Sequence, residues 1–78
     1  MARMSRREMN ELAADREKCA ARSERNAESG RQAANDPSLP KTTRKQAAAA
    51  AMFAERHVQE YREEAEALRD GRIPGEDW

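Results

Sequence analysis

Small, mostly apolar residues recur at alternating steps of four and three along two long stretches of the chain. In the first stretch these positions are Met9, Ala13, Arg16, Ala20, Ser23, Ala27, Gly30 and Ala34, and in the second they are Ala47, Ala51, Ala54, Val58, Tyr61, Ala65 and Leu68. An average spacing of about 3.5 residues places such positions on one face of an α-helix, as in a coiled coil. We call the two rows together the seam. The pattern predicts two long amphipathic helices and an all-α fold.

Capping and breaking residues mark the ends of both helices. Ser5 and Glu8 stand at the spacing of a capping box, and residues 35–40 form the turn-like cluster between the helices. Gly71 suits the end of the second helix, and Pro74 forbids its continuation. We therefore expect helix 1 over about 5–34, a turn over 35–40, helix 2 over about 39–70 with Ser38 or Asp36 as its N-cap, and an irregular tail over 71–78.

The two rows of the seam match each other when the second helix runs antiparallel to the first. Facing positions then have a constant sum of residue numbers, and the implied turn centre lies at the end of residues 35–40. Near the turn both sides are tiny, with Gly30 opposite Ala51, which lets the two backbones approach closely and gain dispersion contacts. The sequence thus predicts one domain over residues 1–78, an antiparallel two-helix hairpin with an alanine-rich, coiled-coil-like seam.

Several large apolar residues lie outside the seam and need another partner. The candidate partner interface consists of Leu12, Met52, Phe53, Ile73 and Trp78. An alanine seam stabilises a lone hairpin poorly, because so short a chain has little apolar surface to bury. Phe53 and Ala49, with Met52 nearby, form a short apolar strip on helix 2. Two interpretations account for this strip: the chain dimerises into a four-helix bundle, or it docks on a different protein. Plain exposure of single apolar residues is the third interpretation.

Composition and charge narrow the possible functions. Charged residues make up 38% of the chain and hydrophobic residues 37%, which suits solvated helices better than a thick globular core. The net charge is zero, whereas proteins that neutralise phosphates usually carry a basic excess. A local basic group at the turn is the candidate contact for a polyanion, and it consists of Arg31, Lys41, Arg44 and Lys45. The predicted pairing also places Glu60, Glu63, Glu64 and Glu66 beside Arg16, Lys18, Arg22 and Arg25.

The reactive side chains do not stand in a pattern that predicts catalysis. His57 is the only histidine and Cys19 the only cysteine, so we interpret His57 as solvated and Cys19 as a small hydrophobe at the edge of the seam. The glutamates of residues 60–66 lack the burial that shifts pKa values in catalytic carboxylate pairs. We therefore expect a non-enzymatic protein without a cofactor, a metal or a small-molecule substrate.

Location and function follow from the same observations. The sequence has no signal-peptide pattern and no apolar run of the roughly 20 residues that a bilayer requires, so we expect a cytoplasmic protein with no membrane partner. Its bias towards Ala, Arg and Glu is typical of a GC-rich gene and suggests a bacterial or phage source. We expect a protein–protein interaction or assembly module. The alternative is a small nucleic-acid-associated regulatory protein that uses the basic group at the turn.

Overall fold

A computed structural model describes residues 4–72 and shows two long helices joined by a short turn. Helix α1 spans Arg6–Ala34 and helix α2 spans Lys41–Arg69, with 29 residues in each. The helices pack against each other along a rod of 55 × 19 × 16 Å, and no strand occurs within residues 4–72. The predicted all-α hairpin is confirmed. Neither helix of this described part is long and apolar enough to cross a membrane.

Helix α1 begins and ends on side-chain hydrogen bonds. The backbone N–H of Glu8 donates to Ser5 Oγ at 3.1 Å, and the backbone N–H of Ser5 donates to the Glu8 carboxylate at 3.5 Å. These two bonds complete the predicted capping box. At the other end, Asn35 donates to the carbonyl of Arg31 from both its backbone N–H and its side-chain amide. Asn35 therefore satisfies one of the carbonyls that a helix end leaves free.

Helix α2 begins later than the sequence predicts, and the expected N-cap at Ser38 or Asp36 is wrong. The N-cap is Pro40, which supplies no side-chain hydrogen bond. Asp36 Oδ1 instead accepts from the backbone N–H and the hydroxyl of Ser38, at 2.9 and 2.6 Å, inside the turn. A residue before a proline avoids the α region, so Leu39 cannot belong to a helix that continues through Pro40.

Helix α2 ends at a glycine, as predicted. Gly71 has a φ of +82°, in the left-handed region that favours glycine. Its N–H donates to Leu68 O at 3.1 Å, and the N–H of Arg72 donates to Ala67 O at 2.8 Å. This pair of bonds is a Schellman motif, which closes the last turn of the helix.

The seam is the core of the hairpin. Its buried members are Met9, Ala13, Ala20, Ser23, Ala27, Ala51, Ala54, Val58, Ala65 and Leu68. The other predicted members, Arg16, Gly30, Ala34, Ala47 and Tyr61, are half-buried. Ala67 is also buried, although the spacing does not predict it. Within residues 4–72 no side chain larger than alanine is completely buried, so the core is thin.

The two helices come very close at Gly30, as predicted. A Cβ atom built there would lie 2.9 Å from the carbonyl oxygen of Ala47 and 3.0 Å from the Cβ of Ala51. Only glycine allows a backbone to approach another helix at this separation.

Ion pairs follow one side of the seam, which we call the ionic flank. Its three pairs are Glu17–Arg69 at 2.9 Å, Glu24–Arg62 at 3.1 Å and Arg31–Glu55. The pairs repeat every seven residues along each helix, so they occupy equivalent heptad positions. Of the four α2 glutamates expected to face basic residues of α1, Glu64 alone makes such a pair within residues 4–72, at 2.8 Å from Arg16.

Candidate interaction surface on the outer face of α2

An uncharged run interrupts the otherwise charged surface of α2. Residues 46–54 carry no charged side chain. Ala51 and Ala54 of this run are buried in the seam, whereas Met52 is 69% exposed and Phe53 60% exposed. We call the exposed apolar members of the run the apolar patch, and they are Ala48, Ala49, Ala50, Met52 and Phe53.

The helical repeat makes the apolar patch one continuous surface. Ala49 and Phe53 are four residues apart, so their side chains lie one above the other on the same face. Met52 stands three residues after Ala49 and extends the same face. A contiguous exposed apolar patch on a protein surface commonly marks an interaction site.

A guanidinium group lies over the exposed aromatic ring. The Arg56 guanidinium carbon is 5.8 Å from the centroid of the Phe53 ring. Such a cation–π contact at an exposed site contributes about 0.5–1 kcal/mol. Arg56 therefore restrains the ring while more than half of Phe53 remains accessible.

Opposite charges flank the apolar patch at its two ends. Stepping along α2 by three and four places Lys45, Glu60 and Glu63 on the same side of the helix as Phe53. Among residues 4–72, Lys41, Lys45 and Glu60 make no ion pair. The exposed surface opposite α1, which we call the outer face of α2, is thus basic at one end, apolar in the middle and acidic at the other end.

The described residues of the predicted partner interface lie in two separate places on the hairpin. Leu12 is 36% exposed on α1, near the open end of the hairpin. Because Ala13 packs with Leu68, Leu12 lies level with the end of α2, roughly 24 Å from Phe53 along the helix axis. Ile73 and Trp78 lie outside the described residues. Met52 and Phe53 are therefore the members of the set that the structure brings together.

The basic group at the turn is divided in the structure. The guanidinium of Arg31 pairs with Glu28 at 2.9 Å and with Glu55 across the hairpin, and these partners raise the pKa of Arg31. Arg44 is half-buried, and its Nε has no hydrogen-bond partner in the described part of the chain. Lys41 and Lys45 remain exposed.

The turn fixes the ionisation of its own carboxylate. Hydrogen bonds from the hydroxyl and then the backbone N–H of Ser38 hold the pKa of Asp36 below its ordinary value, and the charge of Arg44 acts in the same direction. A carboxylate that accepts such bonds is stabilised in its charged form. Asp36 is therefore a structural acceptor within the turn.

The remaining reactive side chains stand apart from one another. The rings of His57 and Tyr61 lie 6.3 Å apart with a tilt of 54°, and Cys19 is a half-buried free thiol. Within residues 4–72, no three His, Cys, Asp or Glu side chains are grouped so that they could hold a metal ion. No family model, curated protein or solved structure matches this chain. The outer face of α2 is therefore the candidate functional surface within residues 4–72.

Proposed function

We propose that this chain is a non-enzymatic assembly module that binds another polypeptide through the outer face of α2. The observation that carries this proposal is the exposure of Met52 and Phe53 near the C-terminal end of the uncharged run of α2. Complete burial of a Phe or Met side chain contributes about 1.5–3 kcal/mol, which the isolated hairpin does not obtain from these two residues. Aromatic and Met side chains are enriched in interface cores, and Lys and Glu are depleted there.

The hairpin presents this surface on a rigid element. Both ends of α1 and the C-terminal end of α2 are capped, and the close approach at Gly30 ties α2 to α1 beside the apolar patch. A preorganised surface loses little conformational freedom on binding. The exposed outer face offers contact area and no enclosed site, which favours a docking role over a catalytic one.

Photo-crosslinking at Phe53 tests the proposal directly. Benzoylphenylalanine at position 53 keeps an aromatic ring in the apolar patch, and irradiation of producing cells is expected to yield an adduct of defined mass. The matched control places the same residue at Ala21, which is exposed on α1. Mass spectrometry of the adduct identifies the captured polypeptide.

Two substitutions that each add a negative charge distinguish a loss of binding from a loss of folding in the same assay. With the photoreactive residue at Met52, Phe53→Glu is expected to remove the adduct, and Ala21→Glu is expected to leave it in place. Circular dichroism should show equal helix content in both variants, because both substitutions are at exposed helical positions. Equal adducts from positions 53 and 21, or none from position 53, would contradict a docking role for this face.

A nucleic-acid-associated regulatory function is the second candidate. Its support is the exposed pair Lys41 and Lys45 in the first turns of α2, where positive charge is unfavourable for the helix macrodipole. Arg31 is engaged by two carboxylates and Arg44 is half-buried, so two lysines remain for phosphate contacts. Affinity for a polyanion grows with the number of phosphates neutralised, which makes this the weaker candidate.

A further inference from the structure

The charges on the outer face of α2 are arranged symmetrically about the apolar patch. Lys45 precedes the boundary between Met52 and Phe53 by the same number of residues as Glu60 follows it. At 1.5 Å per residue, Lys45 and Glu60 stand roughly 22 Å apart along the helix axis. Consider a two-fold axis that lies between two copies of α2, perpendicular to both helices and level with that boundary. Such an axis would place the Lys45 of one copy beside the Glu60 of the other.

We propose that the polypeptide covering the outer face of α2 is a second copy of this chain, with its α2 antiparallel to the first. This inference rests on the function proposed above and names its partner. In the paired arrangement Met52 of each copy packs on Phe53 of the other, and Lys45 of each copy faces Glu60 of the other. The interface is isologous, which is the commonest form of contact in homodimers.

Charge complementarity selects both the partner and the direction. A parallel arrangement would place Lys45 against Lys45 and Glu60 against Glu60, and like charges in contact are repulsive. In the antiparallel arrangement Arg56 lies opposite Ala49, so no like-charge pair forms at the middle of the interface. The charges of the ionic flank are already paired within the hairpin, whereas Lys45 and Glu60 make no ion pair within residues 4–72.

The available area makes this a weak, reversible dimer. Helix α2 is roughly 44 Å long and a helix is about 10 Å wide, so one face offers a footprint of roughly 400 Å². Stable interfaces bury about 800 Å² on each partner. We therefore expect a dissociation constant in the micromolar range or above, and association that depends on concentration.

Sedimentation velocity of the purified full chain is the experiment that tests this inference. Between about 1 and 500 μM we expect a shift from the monomer mass of 8.8 kDa towards twice that mass. Phe53→Glu is expected to weaken self-association at least about tenfold with unchanged helix content. Ala21→Glu on α1 is the matched control for one added negative charge outside this face, and it should sediment as the parent chain does.

Charge reversal tests the antiparallel pairing itself. Lys45→Glu and Glu60→Lys should each self-associate more weakly than the parent, because each places like charges together at both ends of the interface. An equimolar mixture of the two variants should recover dimer, since every facing pair is again of opposite sign. The double variant Lys45→Glu/Glu60→Lys should also dimerise with itself.

Each outcome separates this inference from the function on which it rests. A chain that stays monomeric throughout, while position 53 captures a different polypeptide, overturns the second-copy inference and leaves the assembly function standing. A monomer without any adduct at position 53 overturns both. A dimer that survives Phe53→Glu, or a mixture of the charge variants that associates no better than either alone, places the contact elsewhere and rejects this surface.

Discussion

Gly30 shows how one missing Cβ sets the distance between two helices. Glycine inside a helix costs about 1 kcal/mol relative to alanine. At this position, however, a Cβ would meet the carbonyl oxygen of Ala47 at 2.9 Å. A backbone carbonyl cannot rotate away as the end of a flexible side chain can, so the helices themselves would have to move apart.

We expect Gly30→Ala to destabilise the hairpin despite its better helix propensity. Overpacking in a close contact costs about 1–3 kcal/mol, which exceeds the propensity gain of about 1 kcal/mol over most of that range. Urea unfolding followed by circular dichroism measures the difference. Ser29→Ala, at the exposed neighbouring position, is the control and should change the stability by less than about 0.5 kcal/mol. A more stable Gly30→Ala variant would contradict the close approach.

Gly30 and Pro40 show what the sequence predicts, and what it does not, at the scale of single residues. Gly30 could be placed opposite Ala51 because both belong to the same regular row. The capping preference of Ser38 predicts too early a start for α2, because Pro40 restricts the backbone of Leu39. Steric exclusion is the stronger effect there, and the Asp36 carboxylate binds Ser38 instead of a helix end.

At the scale of the helices, the ionic flank specifies register more than it supplies stability. Glu24 and Arg62 are both 57% exposed, and exposed pairs contribute about 0–1 kcal/mol after solvent screening. Along the flank the signs change at Arg31 on α1 and at Glu55 on α2. A slip of one heptad in either direction would therefore place Arg31 against Arg62, or Glu24 against Glu55.

We expect a charge exchange across this flank to be reversible. Glu24→Arg and Arg62→Glu should each lower the free energy of unfolding by about 1 kcal/mol or less, and the double variant should recover most of the loss. Thermal melts at 20 mM and 500 mM NaCl measure the coupling, which should shrink at high salt because of screening. If the double variant is no more stable than the two single ones, the pairing has no energetic role.

The heptad periodicity predicts which residues form the seam, but it does not predict which charged residues pair beside the seam. A row of residues at heptad spacing identifies its face even when single members are unusual, as Arg16 and Tyr61 are. Which charges flank that face depends on the rotation of each helix about its own axis, and neighbouring residues differ by about 100°. The heptad repeat of Glu17, Glu24 and Arg31 against Arg69, Arg62 and Glu55 was the signal that could have found the ionic flank.

For the whole molecule, the lowered carboxylate pKa values imply loss of stability in acid. A hydrogen bond from Arg31, and then the charge of that group, hold the pKa of Glu28 below its ordinary value of 4.5, and Ser38 holds the pKa of Asp36 below 3.8. A carboxyl whose pKa is lowered in the folded state binds protons more tightly when unfolded. Its stabilising contribution is complete above the ordinary value and is lost as the pH falls through the lowered one.

Melting temperatures between pH 7 and pH 2 test this expectation. The melting temperature should be nearly constant down to about pH 5.5 and fall progressively below about pH 4.5. Glu28→Gln and Ser38→Ala should each flatten that fall, since each removes one of the contributing bonds. A melting temperature that rises on acidification would contradict the sign of these shifts.

The function is harder to predict from the sequence than the fold, because the binding surface depends on which side chains the fold leaves exposed and unpaired. Met52 and Phe53 could be singled out because they interrupt a polar face. The match between Lys45 and Glu60 becomes meaningful only when the neighbouring Glu55 and Arg62 are seen to be paired with α1. A partner recognises the apolar side chains and the unpaired charges that stay exposed after folding. Which charges these are is known only once the contacts within the hairpin are known.

The apolar side chains in the seam are larger at the open end of the hairpin than at the turn, and this difference affects the order of folding. The cluster of Met9, Ala13, Ala65 and Leu68 lies at the open end, where contacting residues are farthest apart in the chain. Beside the turn, where a short loop closes at small entropic cost, the contacts involve mainly alanine and glycine. The pairs that are easiest to form therefore bury the least apolar surface. We therefore expect the hairpin to fold in one cooperative step, completed when Met9 and Ala13 of α1 pack on Ala65 and Leu68 of α2.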